Sequence, residues 1–538
     1  MRKGITFVLS MILILLTASF FISSYFGPPV SSDAYDPGPI VFRSYLGGNF
    51  KEEVIEVEVD DYGNVILVGY SDSEEFPLVS PNNHRFGLTD VFVAKVSPTG
   101  MLLYFLLFGG SSHDIATDAF VEHDGRIHII GYSASSNLPA TDDAFQHTLS
   151  GKSNDTFLME ISPFGELVYC SYFGGSKEDY GYGIIADSSG GLVFVGVTSS
   201  SDFPLLNAER EDMAGETDLY LARLDSNRSH LSYSTLWGSD ETDAFNQQGD
   251  PIVVGNNDRL FVAASTTSLS YPATRGPRNQ SLDAFIACFN SSGFLMNNHF
   301  VNSSSMDDED DFISTIAIGP DGMIYSLGTI HEKVGRALNG SGAYAYLNEK
   351  VMVSKMDQDF SKNELTCYLD GYFATATDMR ISAEGSILIT GQTESKRFPC
   401  INPIEEYSGG FDSFLTIIES TSFSITSSSC LGGLNNELST HIAIDQRGTV
   451  VLAGSTNSID LIPVNPFQSR KADSGYRYDA YVLSLNLNNI GSETISPNQI
   501  TFSGDMIGIA IAISPPILVV VALYYIDMLR KKSRETKS

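Results

Sequence analysis

The chain is short of positive charge. Its 538 residues carry 32 Lys and Arg against 65 Asp and Glu, a formal net charge of −33. A body of that sign repels phosphate backbones and anionic headgroups, which excludes nucleic acid as a partner. Cysteine is scarce too. The five Cys show no CxxC or Cys/His spacing, so a zinc site is unsupported, and their odd number argues against a disulfide framework. They are expected to be buried thiols, with Cys170, Cys367 and Cys430 just before a Gly-rich step and Cys288 and Cys400 elsewhere. GxSxG, HExxH and P-loop motifs are absent, so no catalytic or cofactor-binding residue is assigned. The single Trp, Trp237, is expected to pack. Gly is abundant at 47, with 25 Tyr and 33 Phe, a composition suited to strands and tight turns.

Long apolar runs lie at the two ends. Residues 1–27 form a basic start and an apolar stretch, expected to be a signal peptide or signal anchor. Residues 506–526 are long enough to cross a bilayer as a helix, kinked at Pro515 and Pro516. The basic tail 527–538 then stays cytoplasmic. Linkers are expected at 28–39 and 491–505. The body between is therefore expected outside the cell, held at the membrane by one or two passes. Asn154, Asn227, Asn279, Asn290, Asn302 and Asn339 each open an N-x-Ser/Thr sequon and are candidate glycosylation sites.

The body repeats. Gly47, Gly109, Gly174 and Gly432 each begin a Gly-Gly step, and a turn glycine follows sixteen positions later, at Gly63, Gly125, Gly190 and Gly448. Three degenerate copies make seven, starting near 47, 109, 174, 238, 306, 370 and 432. Each holds an acidic turn and a short apolar run. A Gly turn and an alternating run such as "LVFVGVT" follow. Next comes an aromatic–Pro step (Phe76-Pro77, Phe203-Pro204, Tyr271-Pro272, Phe398-Pro399) or its aliphatic version (Leu138-Pro139, Ile462-Pro463). A run such as "DVFVAKV" and a last one such as "LVYCSYFG" complete the copy. Four strands per copy are predicted. The last copy lacks its fourth run, and "IVFRSYLGG" at 40–48 supplies one without a copy of its own. The expectation is an all-β, seven-bladed propeller over 40–490, closed by the N-terminal strand, with apolar helices at both termini.

Residues 47–96 and 174–223, with "YLGG", "GIIAD", "FP" and "DLYLARL", resemble the seven-bladed beta-propeller (SBBP) repeat family. The likeness covers about 40–490. It implies a secreted or surface protein and supplies no catalytic signature. The fifth copy, "TIHEKVGRALNGSGAYAYLNEKVMVSK", departs most.

Repeated acids do not make a site. Asp60, Asp187 and Asp445 recur at one position, and Asp90, Asp155, Asp218, Asp283, Asp412 and Asp479 at another, which points to turn capping. Asp307–Asp311 offers oxygens to Ca²⁺ but lacks the alternating spacing of a calcium loop, so no cofactor is assigned and Ca²⁺ stays an alternative. His113, His123, His128 and His147 fall in one copy, without metal spacing.

The expected function is a membrane-anchored binding, adhesion or envelope-scaffold module for an extracellular protein or glycan. The alternative is an enzyme acting on glycans, a hydrolase or lyase with its site at the channel mouth. The loops 205–216, 273–281, 330–349 and 464–478 vary most between copies and are the expected binding surface. Unlike ionisable residues converging at the channel would favour the enzyme; identical ones would favour binding or scaffolding.

Overall fold

Short apolar runs divided by Gly and Asp turns satisfy their amides by pairing with the next run. The computed structural model shows this seven times over. It describes residues 38–487 except 77–85, 241–242, 246–248, 268–282, 302–310, 335–345, 362, 370–373 and 473–474. Both apolar ends and the basic tail lie outside the described residues. Among the described residues no helix is long and apolar enough to cross a membrane.

Blade 1 runs Glu52–Val59, Val65–Ser71, Asp90–Val96 and Leu102–Phe108, antiparallel and in sequence order. The inner strands of blades 2, 3, 5, 6 and 7 are Asp114–Val121, Asp179–Ala186, Phe312–Ile318, Ala374–Ile381 and Glu437–Ile444. With blade 4, they touch in a closed circuit around a channel. Blade 7 has only three strands of its own, and Ile40–Leu46 completes it by pairing with Asp479–Asn486. The fold is thus an all-β, seven-bladed propeller closed by its N-terminal strand. Its apolar core lies between blades: Phe42 and Val482 of blade 7 pack with Val54, Leu67 and Phe92 of blade 1.

The Gly-Gly step has a steric cause. A Cβ at Gly174 would stand 2.7 Å from an oxygen of Asp179 and 2.9 Å from the carboxyl carbon of Asp155. The chain thus crosses between blades through a slot walled by two buried carboxyls. Asp179 accepts hydrogen bonds from the Gly175 amide (2.7 Å), Ser200 Oγ (2.9 Å) and Thr198 Oγ1. Glu52, Asp114, Asp243 and Glu437 hold Gly48, Gly110, Ser239 and Gly433 in the same way. At the Gly turns, one oxygen each of Asp60, Asp187 and Asp445 accepts two backbone amides, the capping their recurrence implies.

Four features depart from the regular pattern. The inner strand of blade 4 is split into Asp243–Ala244 and Ile252–Val254, with a longer stretch of sequence between the two pieces than in the other inner strands. Blade 5 is a full blade with a long hairpin, Ile324–Val334 on Tyr346–Met356, in place of the aromatic–Pro loop. In blade 7 the residue plugged under the loop is Leu461, 7% exposed, and not Ile462, 51% exposed. An extra residue follows Asp460 there, so the step slips by one. Finally, Cys400 is exposed, its Sγ 3.7 Å from that of buried Cys430, which corrects the expectation of uniformly buried thiols.

Phe42→Ala should lower unfolding free energy by about 3–5 kcal/mol in denaturant titration, because Phe42 is wholly buried at the closure. Tyr62→Ala, at an exposed turn, should stay within about 0.5 kcal/mol. Brief maleimide treatment of the folded protein should label Cys400 and spare Cys170, Cys288 and Cys430, as peptide mapping would show.

Candidate functional site in the channel

Six of the seven inner strands carry a bulge, and the residue just past it lies beside the channel. In blade 1 the register skips from Val54 to Glu56, in blade 2 from Ala116 to Asp118, and in blade 6 from Ala376 to Asp378. The equivalents elsewhere are Gly183, Thr315 and His441. Copies that agree elsewhere thus differ at this position. Blade 4 contributes Asp250 from its inserted residues.

The bulges also join blades. Thr117 Oγ1 donates to Gly181 O (2.8 Å) and Ser314 Oγ to Ala376 O (2.8 Å), while Thr377 Oγ1 bonds Thr440 O. One oxygen of Asp118 accepts the Ile184 amide (2.8 Å), and one of Asp378 accepts the Ile442 amide (2.9 Å). The Asp250 carbonyl accepts the Ile316 amide at 3.0 Å.

Arg380, two residues past the bulge of blade 6, stands among the acids. Its guanidinium lies 2.7 Å from Asp378, 2.9 Å from Glu56, 2.9 Å from Asp250 and 3.4 Å from Glu58. It thereby links blades 1, 4 and 6. With Asp118, five carboxyls share this one guanidinium among the described residues. Glu56, Asp118, Asp378 and His441 are buried. Glu58 and Asp250 keep 30% and 28% of their side chains exposed, so channel water reaches them.

Crowded acids hold protons. Burial, then the Asp250 charge, pushes both Glu56 and Asp118 well up. Burial likewise raises Asp250, although Arg380 opposes it. Glu58 is pushed up to about 7, burial outweighing Arg380. His441 goes the other way, down to about 4, through burial against the pull of Asp250. Its imidazole is therefore neutral near pH 7.

The sequon residues lie apart from this cluster. Asn227 is exposed, Asn154 donates its side-chain amide to Tyr180 Oη (3.1 Å), and Asn290 accepts the Ser292 and Phe294 amides. Asn279, Asn302, Asn339 and Asp307–Asp310 fall outside the described residues; Asp311 is buried. Loop 273–281 also falls outside them. The second-copy histidines do not converge: His128 is fully buried against Glu122, while His123 is exposed. Sequence reasoning missed Glu56, Asp378, Arg380, Asp250 and His441. A signal was present, since the ninth residue after the opening glycine is Glu56, Asp118, Gly183 and then His441. Variation at one position of an otherwise regular repeat marks a place where the fold tolerates several residues.

The blade-junction acids set a pH dependence. Burial is the first cause in each: Glu52 rises to about 8, Asp155 and Asp412 to about 7, and Asp179 to about 6. Such acids bind more protons folded than unfolded. Their stabilising effect is greatest below their ordinary values near 4 and falls as pH rises through the folded values. The melting temperature should therefore drop from pH 5 to pH 8. Asp155→Asn should flatten that slope between about 4 and 7; a melting temperature rising over this range would contradict the assignment.

No known family's sequence profile matches the chain, and no curated protein is similar in sequence. Solved structures are similar at low identity. An ulvan lyase of polysaccharide lyase family PL25 is 9% identical, with 85% of this chain and 100% of that one covered and a TM-score of 0.43. The β-propeller domain of the Trilobed protease from Pyrococcus furiosus is 9% identical over 75% of this chain and 89% of that one, TM-score 0.36. A protein of unknown function from Dyadobacter fermentans is 12% identical over 83% and 98%, TM-score 0.40. Likeness at this level carries nothing about activity.

Proposed function

We propose that the chain is a membrane-anchored binding propeller, displayed outside the cell, that takes a positively charged ligand in its channel. One observation carries the reading. Four carboxyls from blades 1, 4 and 6 pair with one guanidinium, and Asp118 of blade 2 stands beside two of them. A protein or glycan bearing an amine or guanidinium would meet Glu58 and Asp250 first, since these reach channel water. The apolar ends and the sequons support display outside the cell.

One observation favours the enzyme reading as second choice. Glu58 is partly exposed, and burial pushes its carboxyl up to about 7, the range in which a carboxyl can serve as an acid or a base. It would serve as proton donor to a glycan.

Thermal melting against amine-bearing, neutral and acidic glycans and cationic peptides tests both. Amine-bearing ligands should raise the melting temperature by mass action, and the Glu58→Gln, Asp250→Asn double variant should lose the rise. A rise with acidic glycans, or one the double variant keeps, would move the site out of the channel. Turnover of a bound glycan that Glu58→Gln abolishes without loss of binding would establish the enzyme.

A further inference from the structure

We propose that Glu56, Asp378 and His441 bind a first-row divalent metal ion, with Asp118 and Asp250 completing its oxygen shell. The inference rests on the channel being a ligand site and names one ligand for it.

Geometry is the first support. One ligand atom from each of Glu56, Asp378 and His441 lies within 4.8 Å of the others, and the same holds for Glu56, Asp118 and Asp250. The two triads meet at Glu56. Ligands about 2.1 Å from a metal sit roughly 3–4 Å apart, so either triad needs shifts of only about 1 Å to close on an ion.

The second support is independent of the acids. His441 is 3% exposed, and its Nδ1 has no hydrogen-bond partner. An unpartnered buried nitrogen costs about 1–3 kcal/mol. Neutral imidazole has a lone pair to give, and a metal is the partner that would use it.

The third is charge. Glu56, Asp118 and Asp250 bring three carboxyl oxygens within 4.8 Å of one another. A divalent cation among them would offset their mutual repulsion. Arg380 meets only part of the demand, with one positive charge for five acids. Imidazole among carboxylates suits Mn²⁺, Fe²⁺ or Zn²⁺, whereas Ca²⁺ and Mg²⁺ prefer oxygen alone.

The test uses the full-length protein, stripped with chelator and dialysed at pH 7.5 against Mn²⁺, Zn²⁺, Ca²⁺ or Mg²⁺ alone. Metal content is measured by mass spectrometry, melting temperature by fluorescence, and proton release in weak buffer. About one equivalent of Mn²⁺ or Zn²⁺ should remain, raise the melting temperature and release protons. His441→Gln removes none of the hydrogen bonds described for His441 and should fold. It should weaken retention by more than the roughly 10–100-fold that loss of an outer partner costs. Glu56→Gln should do the same. No metal on the folded protein, Ca²⁺ alone, or equal retention by His441→Gln would overturn the proposal. If amine-bearing ligands still bind in a manner dependent on Glu58 and Asp250, only the metal assignment falls. If metal binds and those ligands do not, the broader reading falls instead.

Discussion

The propeller depends on a carboxyl at the head of the inner strand. Glu52, Asp114, Asp179, Asp243 and Glu437 each pull a backbone amide of the preceding crossover onto a buried oxygen. That bond fixes where the outer strand of one blade stops and the inner strand of the next begins. The small residues of the crossover follow, because a neighbouring carboxyl leaves no room for a side chain. Blade 6 begins with Ala374 and lacks this acid, and its opening glycines are degenerate as well. The two losses belong together: without the carboxyl the Gly-Gly step has less to fit.

Ring geometry was legible because it is written seven times. Turn glycines, strand alternation and the spare strand at 40–48 each report a local or nearest-neighbour constraint. The channel was not legible in the same way. It takes one residue from each of several copies some sixty positions apart, and Asp250 enters through an insertion that breaks the pattern. Reading repeats rewards agreement between copies and passes over disagreement. The site consists of the disagreements. Cys400 escaped for a related reason: its exposure and its neighbour Cys430 arise from a loop folding back onto an outer strand, Ile401 against Ser428.

Structure and chemistry compete in the channel. Asp118 and Asp378 spend an oxygen each on the amide of the next blade, so they act as joints between blades. Arg380 spans three blades, which makes it costly to remove, since its acids would then face one another in a confined space. Glu58, Asp250 and His441 carry fewer structural duties. Their side chains are therefore less committed to the fold, and the rigidity around them lies with the joints.

The closing strand has a mechanical consequence. Ile40 pairs with Leu485, and Leu46 with Ala480, so the chain enters and leaves the ring side by side at one end of the same ladder. Tension drawing those two ends apart loads the ladder at that end, one pair at a time. It unzips and does not shear. The remaining blades carry none of that load until the last pair opens. The joint that completes the ring is also the one that a pull on both ends would release first.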